Sequence, residues 1–178
     1  DILVANSNGR AVRFNESTVR NMGRNATGVR AITLDNDGFD HVVGMIAIEN
    51  PEDETVMIVS EYGYGKRSEI EDYRKTNRGG KGVKTINITE KTGKLISIQS
   101  VTDDNDLMII NKSGITLRLD VSTIRVMGRA TQGVRLINLE KRGDQIASIC
   151  KVNSEPEVTE ETEATNGEIV DTVENGNN

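Results

Sequence analysis

Four columns of basic residues recur in phase along this chain, and their chemistry is anion binding. They are Arg13/Arg67/Arg118, Arg20/Arg74/Arg125, Arg24/Arg78/Arg129 and Arg30/Lys84/Arg135. Twelve of the 22 Lys and Arg stand in them. All but Lys84 are Arg, whose planar fork pairs with a phosphate through two hydrogen bonds where Lys offers a point charge. Exposed Lys and Arg are commonly solvated strand-edge groups or salt-bridge partners, and salt bridges would require acids in the same phase. Only Asn15/Glu69/Asp120 part-matches that requirement, and Asp72 interrupts a column of threonines. The columns therefore read as one repeated anion-binding surface.

Two glycine-rich stretches lie among these bases. Gly63-Tyr64-Gly65-Lys66-Arg67-Ser68 faintly echoes a nucleotide-phosphate loop. Ser60 stands where that loop's first glycine belongs, Arg67 displaces its Ser/Thr, and no helical pattern follows, so nucleotide binding is not expected. In Arg78-Gly79-Gly80-Lys81-Gly82 the small residues between bases would let a phosphate approach backbone amides. No pairing of an acid with His, Cys or Ser suggests a nucleophile or general base, so no catalytic site is expected. A lone His41 and a lone Cys150 exclude a cysteine-cluster metal site and an intrachain disulfide. Neither metal nor cofactor is expected. The apolar neighbours Ile149 and Val152 suggest that Cys150 is buried.

The phase comes from an internal repeat. At an offset of 105, residues 1–38 match 106–143 without gaps, with 16 identities, and a middle copy fits at 54 from the first and 51 from the third. Gly9/Gly63/Gly114, Gly28/Gly82/Gly133 and the pairs Val29/Ile32, Val83/Ile86 and Val134/Ile137 then align. Each unit reads as four short strands. In the first they are Ile2–Ala5, Ala11–Phe14, Val29–Leu34 and Val42–Ile48; in the third, Leu107–Ile110, Thr116–Leu119, Val134–Leu139 and Ile146–Cys150. Asn8-Gly9 and Ser113-Gly114 supply hairpin turns. Only Ser17–Met22 has room for a helical turn. Four strands in about 50 residues is the size of a propeller blade. The fold class is all-β: a β-propeller or pinwheel of three four-stranded blades, at about 1–53, 54–104 and 105–153, with a serial sandwich as the lesser alternative.

Columns 20 and 24 fall in the long connection after the second strand, so successive blades would present a curved row of cations suited to a bent polyanion. Aromatic residues are 3% of the chain. Single-strand and RNA modules stack bases on aromatic side chains, so duplex DNA, gripped through its phosphates with little sequence specificity, is the expected partner. Packing accounts for Tyr62, Tyr64 and Tyr73.

The net charge of −6 hides two regions. Residues 1–150 hold 21 Lys and Arg against 20 Asp and Glu, whereas 151–178 hold one Lys and eight acids, net −7. The segment 154–178 is too polar to offset its ordering entropy and is expected to be a disordered acidic tail. No apolar run is long enough for a membrane span. With neither an initial Met nor a signal peptide, the chain is expected to be a piece of a longer cytoplasmic protein. Three open blades expose strand edges, so the piece is also expected to self-associate.

Gly63-x-x-Lys66-Arg67, Tyr73-Arg74 and Arg78-x-x-x-Gly82-Val83-x-x-Ile86 resemble the C-terminal domain of the DNA gyrase A subunit. The stretches Met22-Gly23-Arg24 through Arg30 and Met127-Gly128-Arg129 through Val134 share that resemblance, which covers residues 1–152. It implies a six-bladed β-pinwheel that wraps duplex DNA on its rim and supports ATP-dependent negative supercoiling, of which this chain would be the C-terminal half. It implies as partners the remaining domains of the gyrase A subunit, together with the gyrase B subunit, in the bacterial cytoplasm at the nucleoid. It adds Lys66 and Lys81 to the twelve column residues as DNA contacts. The catalytic tyrosine of such enzymes belongs to a different domain, so no tyrosine here inherits that role. Two departures stand out. The family's Gln-Arg-Arg-Gly-Gly-Lys-Gly box is absent, and Thr76-Asn77-Arg78-Gly79-Gly80-Lys81-Gly82 keeps only its second half. The related domain of topoisomerase IV and a protein-binding propeller are the alternatives; the acidic tail favours gyrase, and a Trp-Asp repeat is impossible without Trp.

Overall fold

The computed structural model describes residues 1–139 and 143–154. Eleven strands run through it: β1 Ile2–Asn6, β2 Arg10–Phe14, β3 Val42–Ala47, β4 Thr55–Ser60, β5 Tyr64–Glu69, β6 Val83–Lys84, β7 Leu95–Val101, β8 Asn105–Asn111, β9 Thr116–Asp120, β10 Val134–Arg135 and β11 Ile146–Asn153. A short 3-10 helix follows the second strand of each repeat, at Glu16–Thr18, Ile70–Asp72 and Val121–Thr123. In the first and third, Asn15 and Asp120 accept the amide hydrogens of Ser17 and Ser122. Such caps satisfy donors that a helix start leaves unpaired.

The strands form three antiparallel sheets in the orders β3-β1-β2-β6, β10-β5-β4-β7 and β11-β8-β9. A repeat does not fill its own blade. β6 belongs to the second repeat yet pairs with β2 of the first, with Arg10 opposite Lys84 and Ala11 opposite Val83. β10 of the third repeat likewise pairs with β5 of the second, placing Val134 opposite Gly65 and Arg135 opposite Tyr64. The third strand of the second and of the third repeat is therefore handed back to the sheet before it. The corresponding stretch of the first repeat, expected as strand Val29–Leu34, lies in no sheet. The third sheet has three strands rather than four among the described residues, since its own third-strand segment, β10, is given to the second sheet.

This exchange explains the Gly28/Gly82/Gly133 column. A Cβ on Gly82 would sit 2.3 Å from the Ala11 carbonyl oxygen, and one on Gly133 2.6 Å from that of Gly65. At Gly28, which faces no strand of another repeat among the described residues, nothing described lies within 4 Å. Both crowded glycines also have positive φ, 73° and 87°, which L side chains resist.

The inner strands bury both faces because each sheet has a neighbour, so β1 and β4 read as continuous apolar runs with burial to match. Leu3, Ala5, Ala11 and Ile46 of the first sheet pack with Val56, Ile58, Leu95 and Ile98 of the second. Met57, Val59 and Val101 pack with Leu107, Ile109 and Ile149 of the third. On the far side of the first sheet Val4, Val12 and Phe14 are covered by Ile32. The edge strands β3, β9 and β11 are more open, with β9 alternating exposed and half-buried along its length. Cys150, expected inside, is exposed on β11, where Ile146 and Ile149 take the inward positions.

Candidate nucleic-acid interface

The four columns separate into two classes. The first column faces inward and joins blades. Arg13, 3% exposed, donates from Nη1 to the carbonyls of Ile70 at 3.0 Å and Tyr73 at 3.2 Å, which bracket the next repeat's 3-10 helix. It also pairs with Asp1 at 2.9 Å. Arg67, 5% exposed, repeats the grip on Val121 and Ile124 and pairs with Asp103 at 2.7 Å. Arg118 grips no such helix among the described residues; its side chain is 46% exposed and its Nε donates to Asp106 at 2.5 Å.

Arg13 and Arg67 are thus corrected from surface contacts to internal clamps, because burial leaves their guanidinium groups no room for a phosphate. An acid does track this column. The Nε atoms of Arg13, Arg67 and Arg118 donate to Asp1, Thr55 and Asp106, each twelve residues earlier. The identity of Asp1 and Asp106 in the repeat was the available signal, obscured by Thr55 in the middle copy.

Lys66 is also corrected. It is fully buried on β5, its Nζ donating to the Gly128 carbonyl at 2.7 Å. Burial pushes its pKa down to about 8, against the opposing pull of Asp72. Its counterparts in the repeat are Val12 and Leu117, an apolar phase that marks Lys66 as an inward position. The Gly79-Gly80 backbone is likewise taken up. Gly79 N–H donates to the Ala31 carbonyl at 2.8 Å, and Thr33 donates to both glycine carbonyls. The Gly79 amide is therefore turned towards the first repeat, not towards a phosphate.

The other columns face solvent. Arg20, Arg74 and Arg125 are exposed, as are Arg24, Arg30, Lys81, Lys84 and Arg135; Arg78 and Arg129 are half-buried. Two contacts between repeats order them. Arg78 Nη1 donates to the Arg30 carbonyl at 2.6 Å, and Arg129 Nη1 donates to the Lys84 carbonyl at 2.7 Å. A base of one repeat is thereby set beside a base of the repeat before it. Arg135 donates to the Tyr64 hydroxyl at 3.0 Å and lies over that ring at 5.4 Å from its centroid. Arg125 and Arg135 line one cleft of about 330 Å³. Asp72 also takes part in this row: its carboxylate accepts the Arg129 amide at 3.3 Å, and its carbonyl accepts from Arg129 Nε at 2.9 Å.

Several like charges along a surface raise the local potential, and a guanidinium that spends one N–H on a carbonyl keeps others for a ligand. The arrangement can hold a chain of anionic groups through charge and hydrogen bonding. Among the described residues no group of three or more His, Cys, Asp or Glu is placed to hold a metal.

The family model of the DNA gyrase C-terminal domain, a beta-propeller, matches residues 1–49, 54–102 and 105–152. The DNA gyrase A subunit of Staphylococcus aureus strain COL is 48% identical over 170 residues, covering 93% of this chain and 18% of that protein. Its equivalent in strain MRSA252 is 48% identical over 166 residues, covering 92% and 18%. The chain thus spans less than a fifth of the length of these relatives. Among solved structures, a DNA gyrase A C-terminal domain superposes with a TM-score of 0.75 at 25% identity, covering 84% of this chain and 50% of that one. The C-terminal domain of DNA topoisomerase IV gives 0.79 at 22% identity, covering 86% and 46%, a likeness of fold. With repeats that coincide with the matched segments, and sheets that share the fold, this chain belongs to the family of DNA gyrase C-terminal domains.

Proposed function

We propose that the chain binds duplex DNA without sequence preference and bends it along its rim, as the wrapping half-domain of a DNA gyrase A subunit. In the intact enzyme it would act beside the remaining gyrase A domains and the gyrase B subunit, in the bacterial cytoplasm at the nucleoid, to support ATP-dependent negative supercoiling. The observation that carries the reading is the pair of carbonyl contacts from Arg78 to Arg30 and from Arg129 to Lys84, which turn separate columns into one row of cations. The proposed contact set is Arg20, Arg24, Arg30, Arg74, Arg78, Lys81, Lys84, Arg125, Arg129 and Arg135, with Arg118 at its margin. Arg13, Arg67 and Lys66 are left out because they are buried. Identity of 48% to the gyrase A subunit of Staphylococcus aureus favours gyrase over its topoisomerase IV counterpart.

Column 20 offers the clean test, because Arg20, Arg74 and Arg125 are exposed and none holds a neighbouring repeat in place among the described residues. Replacing all three by Ala should weaken binding to every duplex alike. The slope of log affinity against log salt should fall by roughly 0.9 for each phosphate no longer neutralised. An unchanged slope in a protein that melts like the parent would overturn the proposal.

A further inference from the structure

The loop that follows each 3-10 helix is seated on the preceding blade, and the two seats between described blades are built differently. At the second junction, β5 meets the loop 127–131 with polar side chains. Lys66 Nζ donates to the Gly128 carbonyl at 2.7 Å, and Ser68 Oγ donates to that of Met127 at 2.9 Å. The Thr131 amide and hydroxyl donate to the same Gly128 oxygen, at 3.2 and 2.9 Å. Arg129 lies between these anchors. Its amide and Nε are spent on Asp72 and its Nη1 on the Lys84 carbonyl, which leaves Nη2 for a ligand.

At the first junction Val12, Phe14 and Thr18 stand where the second has Lys66, Ser68 and Asp72. Among the described residues no side chain of β2 donates to the loop 76–80, and the buried Arg78 Nε has no hydrogen-bond partner. Val12 shows that an apolar side chain fills this place in the fold. An ammonium withdrawn from water is costly, so core packing does not account for Lys66. Its one printed contact is with the loop that carries Arg129.

We infer that Lys66 is a positioning residue of the interface: from inside the second blade it fixes the loop 127–131 and so sets Arg129 in the cation row. The inference rests on the proposed DNA reading. Lys66 touches no phosphate itself, being fully buried. The charged groups bearing on it are Asp72 and Arg129, and burial outweighs Asp72, so its proton is held only to about pH 8. Tyr73, which shares those two neighbours, is pushed up to about 12 and stays neutral through that range. Losing the Lys66 proton turns a charge-assisted bond into a weaker neutral one. A phosphate bound nearby favours the charged form. Duplex affinity should therefore fall as pH rises through about 8.

Duplex affinity of the 178-residue chain and of its K66M, R129A and double variants, at pH values either side of about 8, tests it, with hydrogen exchange of the DNA-free proteins alongside. K66M should speed exchange at the Met127, Arg129 and Thr131 amides. Below pH 8 it should weaken binding by about fivefold, the size of one surface ionic contact. The same substitution should cost nothing further in R129A, yet keep its effect in the R20A/R74A/R125A background. The parent's affinity should fall with pH and that of K66M should not. Should K66M fail to fold by circular dichroism, R129A carries the test, since it keeps Lys66 and should also lose the fall. Unchanged exchange, an equal K66M loss with and without Arg129, or one pH fall common to all the variants overturns the inference. An R20A/R74A/R125A variant that binds as the parent does would instead sink the DNA reading, with the exchange result standing on its own.

Discussion

At the scale of the residue, one arginine column does two kinds of work: Arg13 and Arg67 are buried against the next repeat, whereas Arg118 is half-exposed. Arg67 satisfies two buried carbonyls, and losing it orphans both, at about 1–3 kcal/mol each. Arg118 meets only Asp106 from a half-exposed position, where an ion pair contributes about 0–1 kcal/mol. R67A should therefore lower the urea midpoint clearly while R118A in dilute protein barely moves it; equal losses would refute the clamp. Two buried titrating groups shape stability at alkaline pH. Lys66 binds its proton less tightly folded, at about 8, than unfolded, near 10.4. The unfolded chain then holds more protons between those values, so stability rises with pH from about 8 towards 10. Tyr73, buried with its hydroxyl 2.5 Å from Thr85 Oγ1, is pushed up to about 12. Its folded form keeps a proton that the unfolded form releases near 10, so stability falls above that pH. Denaturant midpoints should climb from pH 8 and then decline past 10. K66M should lack the climb and keep the decline.

At the scale of the element, the exchanged strand is what ties one blade to the next. β6 spans only Val83–Lys84, so its hold rests on close approach at Gly82 as much as on ladder length. G82A adds a clash with the Ala11 carbonyl to the ordinary strain of a positive φ. Gly38, with φ 76° and open space around it, provides the control. Strain alone costs about 1–2 kcal/mol. G38A should lose about that much stability, while G82A should lose more and raise hydrogen exchange at the β2 edge. Matching losses would mean that the strand's approach is not tight.

At the scale of the whole molecule, charge is segregated along the chain rather than balanced within it. Residues 1–150 are close to neutral overall, so their exposed cations act by placement, whereas residues 151–178 carry a net −7. The acidic tail expected from 154 onward lies, from residue 155, outside the described residues. Under the proposed DNA reading, its eight carboxylates would compete with phosphates for the cation row. Truncation after Ser154 should then tighten duplex binding at low salt, with the gain fading as screening rises. Equal affinities at low salt would leave the tail as a solubilising segment only.

The sequence by itself determined the repeat, the strands that bury both faces, the hairpin turns and the family. These depend on local alternation and on residue types that recur in phase. Ile2–Asn6 and Arg10–Phe14 lie within a residue of where the pattern puts them, and the short helix at Glu16–Thr18 overlaps the start of the span Ser17–Met22 left for a turn. What only the tertiary structure decided is which blade each strand enters and which cations reach water. A two-residue strand such as β6 has no periodicity of its own, and its partner is set by contact with a different repeat. Arg13 and Arg20 are alike in composition and in recurrence. One is 3% exposed and the other lies at the surface, because the first falls on a strand between sheets and the second on the connection that leaves it. Burial depends on what packs against a residue, and here the packing comes from the next repeat, some fifty residues further along the chain.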